Sequence, residues 1–376
     1  VVRFGRRGFN GQLPAYADVQ SRFGGARLAL LGNMCIRMKR RRDAAPRRAA
    51  LGYARFRKQL GAPPVFRPIN EDDLDLVTLC DRNDPVSVID AVRFRHELAE
   101  HQYRLPWSWI LEDNGRLLAR ALWWGPSDSQ FPVALDCLWV EASDEHPEAA
   151  AAGLLNAGHA ALLAAGTPTL PDFNIDVATN WRADPAAVTA ITWRSAAAAA
   201  AGLTERIERL RFEWTVGTPK PDRSTRLTFA TATDKQFMAL FGEVAQGSLD
   251  IHTRRKLETL SPAEQASDDL DFYLGLPGNR DDWRVARDAT GALVGFAIPS
   301  RSAYHPSVSY LGVLPRFRGR GFVDDLLAEI THIHVEAGAE QITGTTDTTN
   351  APMAAAFGRA GYRNTACRIV LSAPSN

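Results

Sequence analysis

The sequence predicts an α/β (α+β) protein made of two tandem domains, and three observations predict it. Two breaks, Gly61-Ala-Pro-Pro64 and Gly217-Thr-Pro-Lys-Pro-Asp222, deny both helix and sheet pairing, which divides the chain into segments of similar length, about 65–216 and 226–374. Both segments alternate β-branched or aromatic runs with longer helical stripes, in the same order. Their ends also rhyme: Ala201-Gly202-Leu203 closes a helix in the first, Ala360-Gly361-Tyr362 in the second. Shared order and shared ends read as an old tandem duplication, with two unrelated α/β domains sharing a common element order as the alternative. At 376 residues the chain exceeds one ordinary core, which suits two domains and a tail.

In the first segment the periodicities predict a helix over 71–104 and strands over 107–113, 116–125 and 132–141. A helix over 146–166, a strand over 172–178, a helix over 184–201 and a strand over 204–215 complete it. The second segment reads as helices over 233–247 and 253–265, then strands over 282–288, 292–299 and 306–314. A helix over 321–337, a strand over 340–346, a helix over 350–360 and a strand over 362–372 follow. Asp113-Asn114-Gly115 and Asp288-Ala-Thr-Gly291 mark hairpin turns.

Composition excludes several classes. The 45% hydrophobic and 23% charged fractions are those of a globular protein, and no apolar run reaches the 18 or so residues of a membrane span. Cys35, Cys80, Cys137 and Cys367 lie far apart without a CxxC pair, which fits a reducing cytoplasm and offers neither zinc site nor disulfide framework. The net charge of +1 hides an asymmetry. Residues 1–60 carry 15 Lys and Arg against 2 Asp and Glu, a balance of +13, and the remainder carries 29 against 41, a balance of −12. The run Lys39-Arg40-Arg41-Arg42 is a candidate contact for nucleic acid. A composition too polar to bury a core favours a disordered tail instead, or a start-site artefact with Met34 or Met38 as the true start. Nucleic acid is therefore not the expected partner. No feature of the sequence encodes an oligomeric state.

The stretch that carries chemistry runs from Ser307 to Asp325. A strand stops at Pro315, a loop rich in Arg and Gly follows, and a helix begins with apolar residues at Val323, Leu326, Leu327, Ile330 and Ile333. A strand–loop–helix with glycines at the helix entry is an anion site, because free backbone N–H groups and the helix dipole face the loop. Gly319 and Gly321 permit close backbone approach, while Arg316, Arg318 and Arg320 add positive charge around them. Such a site suits a pyrophosphate.

The segment Val313-Leu-Pro-Arg-Phe-Arg-Gly-Arg-Gly321 resembles the acetyl-CoA loop of the GCN5-related N-acetyltransferases (GNAT), whose core is Gln/Arg-x-x-Gly-x-Gly/Ala. Arg318 and Gly321 match the first two fixed positions, and Val323 replaces the third. Downstream, Asn350 to Tyr362 resembles the family's Asn-x6-Tyr-x3-Gly-Phe/Tyr helix. Asn350, Gly361 and Tyr362 fit it, and Phe357 stands where many members carry the tyrosine that protonates the departing thiolate. The resemblance covers about 226–374. It implies two tandem GNAT-like domains, each a mixed, mostly antiparallel sheet flanked by helices, with acetyl-CoA as cosubstrate and a small-molecule amine as acceptor. It also implies that the backbone of Leu311–Val313 pairs with the pantetheine arm. The pyrophosphate then falls to Arg316, Arg318, Gly319, Arg320, Gly321, Phe322 and Val323, with Asn350 beside them.

The first half lacks the loop: Glu141, Asp144, Glu145 and Glu148 put negative charge at the corresponding helix entry, which repels a pyrophosphate. It reads as a degenerate copy. For the chemistry, Asp347 ends the strand beside the expected cleft and is a candidate base, and Tyr310 and Tyr362 are candidate acids. Each has a structural alternative, Asp347 as a turn carboxylate and the tyrosines as core. His305, Asp250 and His252 are further candidates on the acceptor side. His332 and His334 stand two apart on a helix and face differently, so no metal site is predicted. Phe357 and Val323 keep open a silent acyl-CoA-binding protein, and acceptor-groove openness leaves a protein lysine acetyltransferase as another alternative.

Overall fold

The computed structural model describes residues 64–78, 84–86, 89–141, 144–302 and 304–374, and the basic segment 1–60 lies outside them. The first half contains β1 (Val65–Pro68), α1 (Ala91–Ala99), β2 (Ser108–Asp113), β3 (Arg116–Trp124) and β4 (Ala134–Val140). It continues with α2 (Pro147–Ala164), β5 (Asp172–Val177), α3 (Pro185–Ala200) and β6 (Glu205–Thr215). The second contains β7 (Leu227–Ala230), α4 (Asp234–Ala245), α5 (Ile251–Thr259), α6 (Pro262–Gly275), β8 (Arg284–Asp288) and β9 (Leu293–Arg301). It ends with β10 (Pro306–Val313), α7 (Phe322–Glu336), β11 (Gln341–Asp347), α8 (Ala351–Arg359) and β12 (Arg363–Ser372).

Two predicted helices are corrected. The expected helix over 71–104 is a 3-10 turn at Glu71–Asp73, a single helical turn at Leu74–Val77, and then α1. Asn70 and Asp90 each accept a cap bond and start separate helices, and Pro85 between them bars a continuous one. Arg120, within β3, donates to the carbonyls of Val77 and Ile89 at 2.5 Å each. The expected helix over 253–265 is two helices, because Ser261 and Glu264 form a capping box with Pro262 in the first turn of α6. β1 and β7, four residues each, escape a reading of periodicity.

The twelve strands among the described residues make one sheet in the order β1-β2-β3-β4-β5-β12-β6-β11-β10-β9-β8-β7. Each half ends on a strand that completes the other: β12 pairs with β5, and β6 pairs with β11. The two exchanged strands pair antiparallel with each other, Arg209 opposite Arg368. The registers on either side match. Arg368 faces Asp176 of β5, and Arg209 faces Asp347 of β11, so a pseudo-twofold axis runs between the two arginines. One core, around Trp123, Leu154, Phe173 and Ile191, packs α2 and α3 on the first half. Another, around Phe237, Phe241, Phe296, Leu326 and Ile330, fills the second.

Candidate acyl-transfer site

β10 pairs antiparallel with β9 along its length, with an irregularity between Val308 and Tyr310. Against β11 it pairs only at Ser307–Thr343 and Val308–Gly344. The extra residue, Ser309, is a bulge whose hydroxyl turns to Ser300, and beyond it the parallel strands part. The Leu314 N–H donates to the Val294 carbonyl of β9 at 2.9 Å. Hydrogen-bonding direction alternates along a strand, so the N–H groups of Leu311 and Val313 face the gap where β11 has left. The Val313 carbonyl on that side accepts the Arg318 Nε at 3.1 Å.

The loop after β10 brings two glycines into the left-handed region, Gly319 at φ 77° and Gly321 at φ 73°. Gly321 is the N-cap of α7 and supplies no side-chain cap, which leaves the first amides of the helix for a ligand. The first-turn carboxylates are neutralised, Asp324 by Arg359 at 2.7 Å and Asp325 by Arg226 at 2.5 Å. Val323 packs its partly buried side chain against the core, and Phe322 is buried edge-on to Phe317.

The three loop arginines differ. Arg318 turns inward and donates to the carbonyls of Val244 at 2.6 Å, Gln246 at 2.9 Å and Gly247 at 3.0 Å, besides Val313. It fastens the end of α4 to the loop. Arg316 pairs with Glu243 at 3.0 Å. Arg320 lies over the Phe317 ring, 5.4 Å from its centroid, and its side chain makes no hydrogen bond among the described residues. Asn350 caps α8, its side chain accepting the Met353 N–H.

On the face carrying α4 and α6, Tyr310 stacks on Tyr273, centroids 5.0 Å apart, and packs against Phe241 and Phe296. Burial, then the carboxylates of Asp269 and Asp250, push the Tyr310 phenol far above its usual range. Tyr273 is raised the same way. Neither hydroxyl bonds to another described residue. Asp269 is buried, accepts Lys256 Nζ at 3.1 Å, and is raised by burial. Sequence reasoning missed Gln265, Asp269 and Tyr273; their i, i+4, i+8 spacing on α6 was the available signal.

Asp347 is 2% exposed and does not point at the gap: Oδ2 accepts the Ile251 N–H of α5 at 2.6 Å, and Oδ1 stands 3.4 Å from Arg209 Nε. Burial raises its carboxyl. Asp250 caps α5. His252, in the first turn of α5, reaches solvent yet is crowded by protein, which lowers its imidazole below the ordinary value; Lys256 adds to the push and Asp250 opposes it. On the opposite face, Tyr362 is buried with its hydroxyl 2.8 Å from Thr331, and Phe357 stacks on Phe212 at 4.7 Å. His305 lies in the turn before β10, its backbone bonded to Ser302. His332 and His334 bond separately to the carbonyls of Pro221 and Ser307.

The first half repeats the parting of strands. β4 pairs with β5 only at Ala134–Asp172 and Leu135–Phe173, and the Glu141 N–H donates to Leu118 as Leu314 does to Val294. These registers place Leu138 where Leu311 stands. There the open edge is occupied: Arg194 of α3, 1% exposed, donates Nε to the Leu138 carbonyl at 3.0 Å and Nη2 to Asp84 at 2.5 Å.

No family model matches the sequence, and no curated protein matches it. Solved structures do resemble it. A GCN5-related N-acetyltransferase from Sphaerobacter thermophilus is 14% identical, with 83% of this chain and 95% of that one covered and a TM-score of 0.52. A tandem GNAT protein from the clavulanic acid biosynthesis pathway is 16% identical over 83% of this chain and 100% of that one, TM-score 0.42. A GCN5-related N-acetyltransferase from Kribbella flavida is 15% identical over 69% and 87%, TM-score 0.39. The chain has the fold of the GCN5-related N-acetyltransferases. Among its described residues no helix is long and apolar enough to cross a membrane.

Proposed function

We propose that the chain is an acetyl-CoA-dependent N-acetyltransferase that works in its second half, about 226–374, on the amine of a small molecule. In this reading the first half, about 65–216, is a copy that binds no cofactor. The observation that supports it most is the parting of β10 from β11 after two paired residues, beside a helix entry with two left-handed glycines and no side-chain cap. The buried Arg194 on the equivalent edge supports a single site.

Acetyl-CoA supplies the activated acetyl group. The N–H groups of Leu311 and Val313 suit the acyl and pantetheine carbonyls, and the amides from Gly319 to Val323 with the Arg320 guanidinium suit the diphosphate. Arg318 and Asn350 shape this wall by holding α4 and α8, and Arg316 lies at its rim. An alkyl amine has a pKa of about 10 and must lose a proton to attack. His252 is the base in this reading: its lowered pKa keeps it neutral near pH 7, and no described residue bonds its ring. Asp347 acts through the Ile251 N–H to hold α5, and His252 with it, in place. Tyr310, with its free hydroxyl, returns a proton to the departing thiolate, since Phe357 has none to give and Tyr362 is engaged by Thr331. The buried, separate thiols of Cys137 and Cys367 suit a cytoplasmic setting.

The test is calorimetric titration of acetyl-CoA into the full chain, followed by thiol release with a panel of amines. One equivalent bound and turnover with an amine are the expected results; no binding refutes the reading. The absence of a hydroxyl at Phe357 favours one second reading, a silent acyl-CoA-binding protein, which predicts binding without turnover on every amine.

A further inference from the structure

Where β5, β12, β6 and β11 lie side by side, one register row presents Asp176, Arg368, Arg209 and Asp347 in that order. Two guanidiniums thus sit directly opposite each other on neighbouring strands, an arrangement that like charges disfavour. Along the row the side chains of Asp176, Arg368 and Arg209 are 24%, 31% and 34% exposed, whereas Asp347, 2% exposed, lies under the start of α5. In the first half the charges are satisfied. Asp176 takes Arg368 in a two-pronged pair, 2.8 Å to Nε and 2.6 Å to Nη2, and Arg211 at 2.9 Å.

The second half breaks this symmetry. Asp347, the counterpart of Asp176, gives one oxygen to the Ile251 N–H and leaves the other 3.4 Å from Arg209. Asp250, committed to capping α5, is 3.9 Å away. Beyond these two long ion pairs the Arg209 side chain makes no hydrogen bond among the described residues, and its Nε is buried without an acceptor. It is the one member of the row left unfinished, and it stands on the side of the parted strands where α5 brings His252 and where Tyr273 feels its charge.

Building on the acetyltransferase reading, we propose that Arg209 anchors a carboxylate of the acceptor, so that the substrate class is a small amine that also bears a carboxylate, such as an amino acid. A guanidinium offers two parallel N–H groups to a planar carboxylate, and the half-buried position strengthens the pair. Arg368 and Arg211, sharing one carboxylate between them, leave the adjoining surface cationic. Arg209 is a specificity residue here, two strands from β10 and apart from the groups assigned to the cofactor.

The experiment compares each of a set of amino acids with its decarboxylated amine in the thiol-release assay, on the full chain and on Arg209→Gln and Arg209→Lys. Calorimetry measures acetyl-CoA binding, and thermal melting checks folding, for all three. The expected result is an amino acid turned over at least tenfold better, in kcat/KM, than its matched amine. Arg209→Gln lowers that ratio by about ten- to hundredfold, the range of a charge-assisted pair. Arg209→Lys recovers part of it, and acetyl-CoA binding stays unchanged in both. Equal or better use of the decarboxylated amines overturns the proposal, as does a preference that survives Arg209→Gln. Turnover of neither member of any pair, with acetyl-CoA bound, overturns it as well. Failure of the parent to bind acetyl-CoA overturns instead the reading on which the proposal rests, and calorimetry reports that separately.

Discussion

Glutamate at position 321 tests the anion site at its tightest point. Gly321 sits at φ 73°, where a Cβ would stand 3.4 Å from Arg226 Nη2 and 3.8 Å from Asp324 Oδ2. A side chain there fits in space but strains the backbone by about 1–2 kcal/mol. Gly321→Ala isolates that term, and its acetyl-CoA affinity is expected to stay within about tenfold of the parent. Gly321→Glu adds a negative charge at the mouth of the helix. Two like charges about 4 Å apart at a protein surface repel by about 4 kcal/mol, or nearly a thousandfold. Arg226 draws the new carboxylate aside in part, although Asp325 already holds it, so the expected loss is about a hundred- to a thousandfold. Calorimetry at low and high salt is the assay, and the loss should shrink as salt rises. A Gly321→Glu protein that folds and binds acetyl-CoA within threefold of the parent refutes the assignment of the diphosphate to this loop.

Other consequences can be measured in parallel. Arg194→Met leaves Asp84 and the Leu138 carbonyl without their buried partner, and the expected loss in urea unfolding is about 3–5 kcal/mol, part of it recovered by adding Asp84→Asn. Arg318→Ala releases four backbone carbonyls; as the side chain is exposed, a loss of about 1–2 kcal/mol is expected, with acetyl-CoA bound about tenfold more weakly and Arg318→Lys unable to restore it. Burial raises the Asp172 carboxyl to about 6, so the folded state holds its proton more tightly than the unfolded chain. Stability therefore falls as pH rises from about 4 to 6 and is level above, and Asp172→Asn should flatten that window in melting curves. If His252 is the base, kcat/KM has its acid limb below pH 6.5, and His252→Gln removes the limb with a rate loss of about a hundred- to ten-thousandfold.

Much of the architecture can be read from the residues, and what escapes has physical reasons. The stripe from Val323 to Ile333 and the turn glycines place the strand–loop–helix at the site within a residue or two. The capping box of Ser261 and Glu264, with Pro262 between them, is equally readable in the sequence and marks where α5 gives way to α6. Which strand pairs with which is another matter. β6 and β12 have similar alternation, so either satisfies β5 or β11 locally, and nothing in periodicity announces the exchange. Arginine in the loop is legible as charge, but the inward turn of Arg318 onto carbonyls depends on where α4 ends. Asp347 reads as a carboxylate at a strand end; only the fold shows that α5 starts on it.

The exchange of last strands also sets an order of assembly. β5 waits for a partner 192 residues further along, so the first half cannot close its sheet until the second has been made, and its open edge is exposed meanwhile. Each half's sheet is completed by a strand of the other. A single cut in the 217–222 connection would yield two fragments that each hold the other's closing strand, and they should travel together until the whole sheet is unfolded.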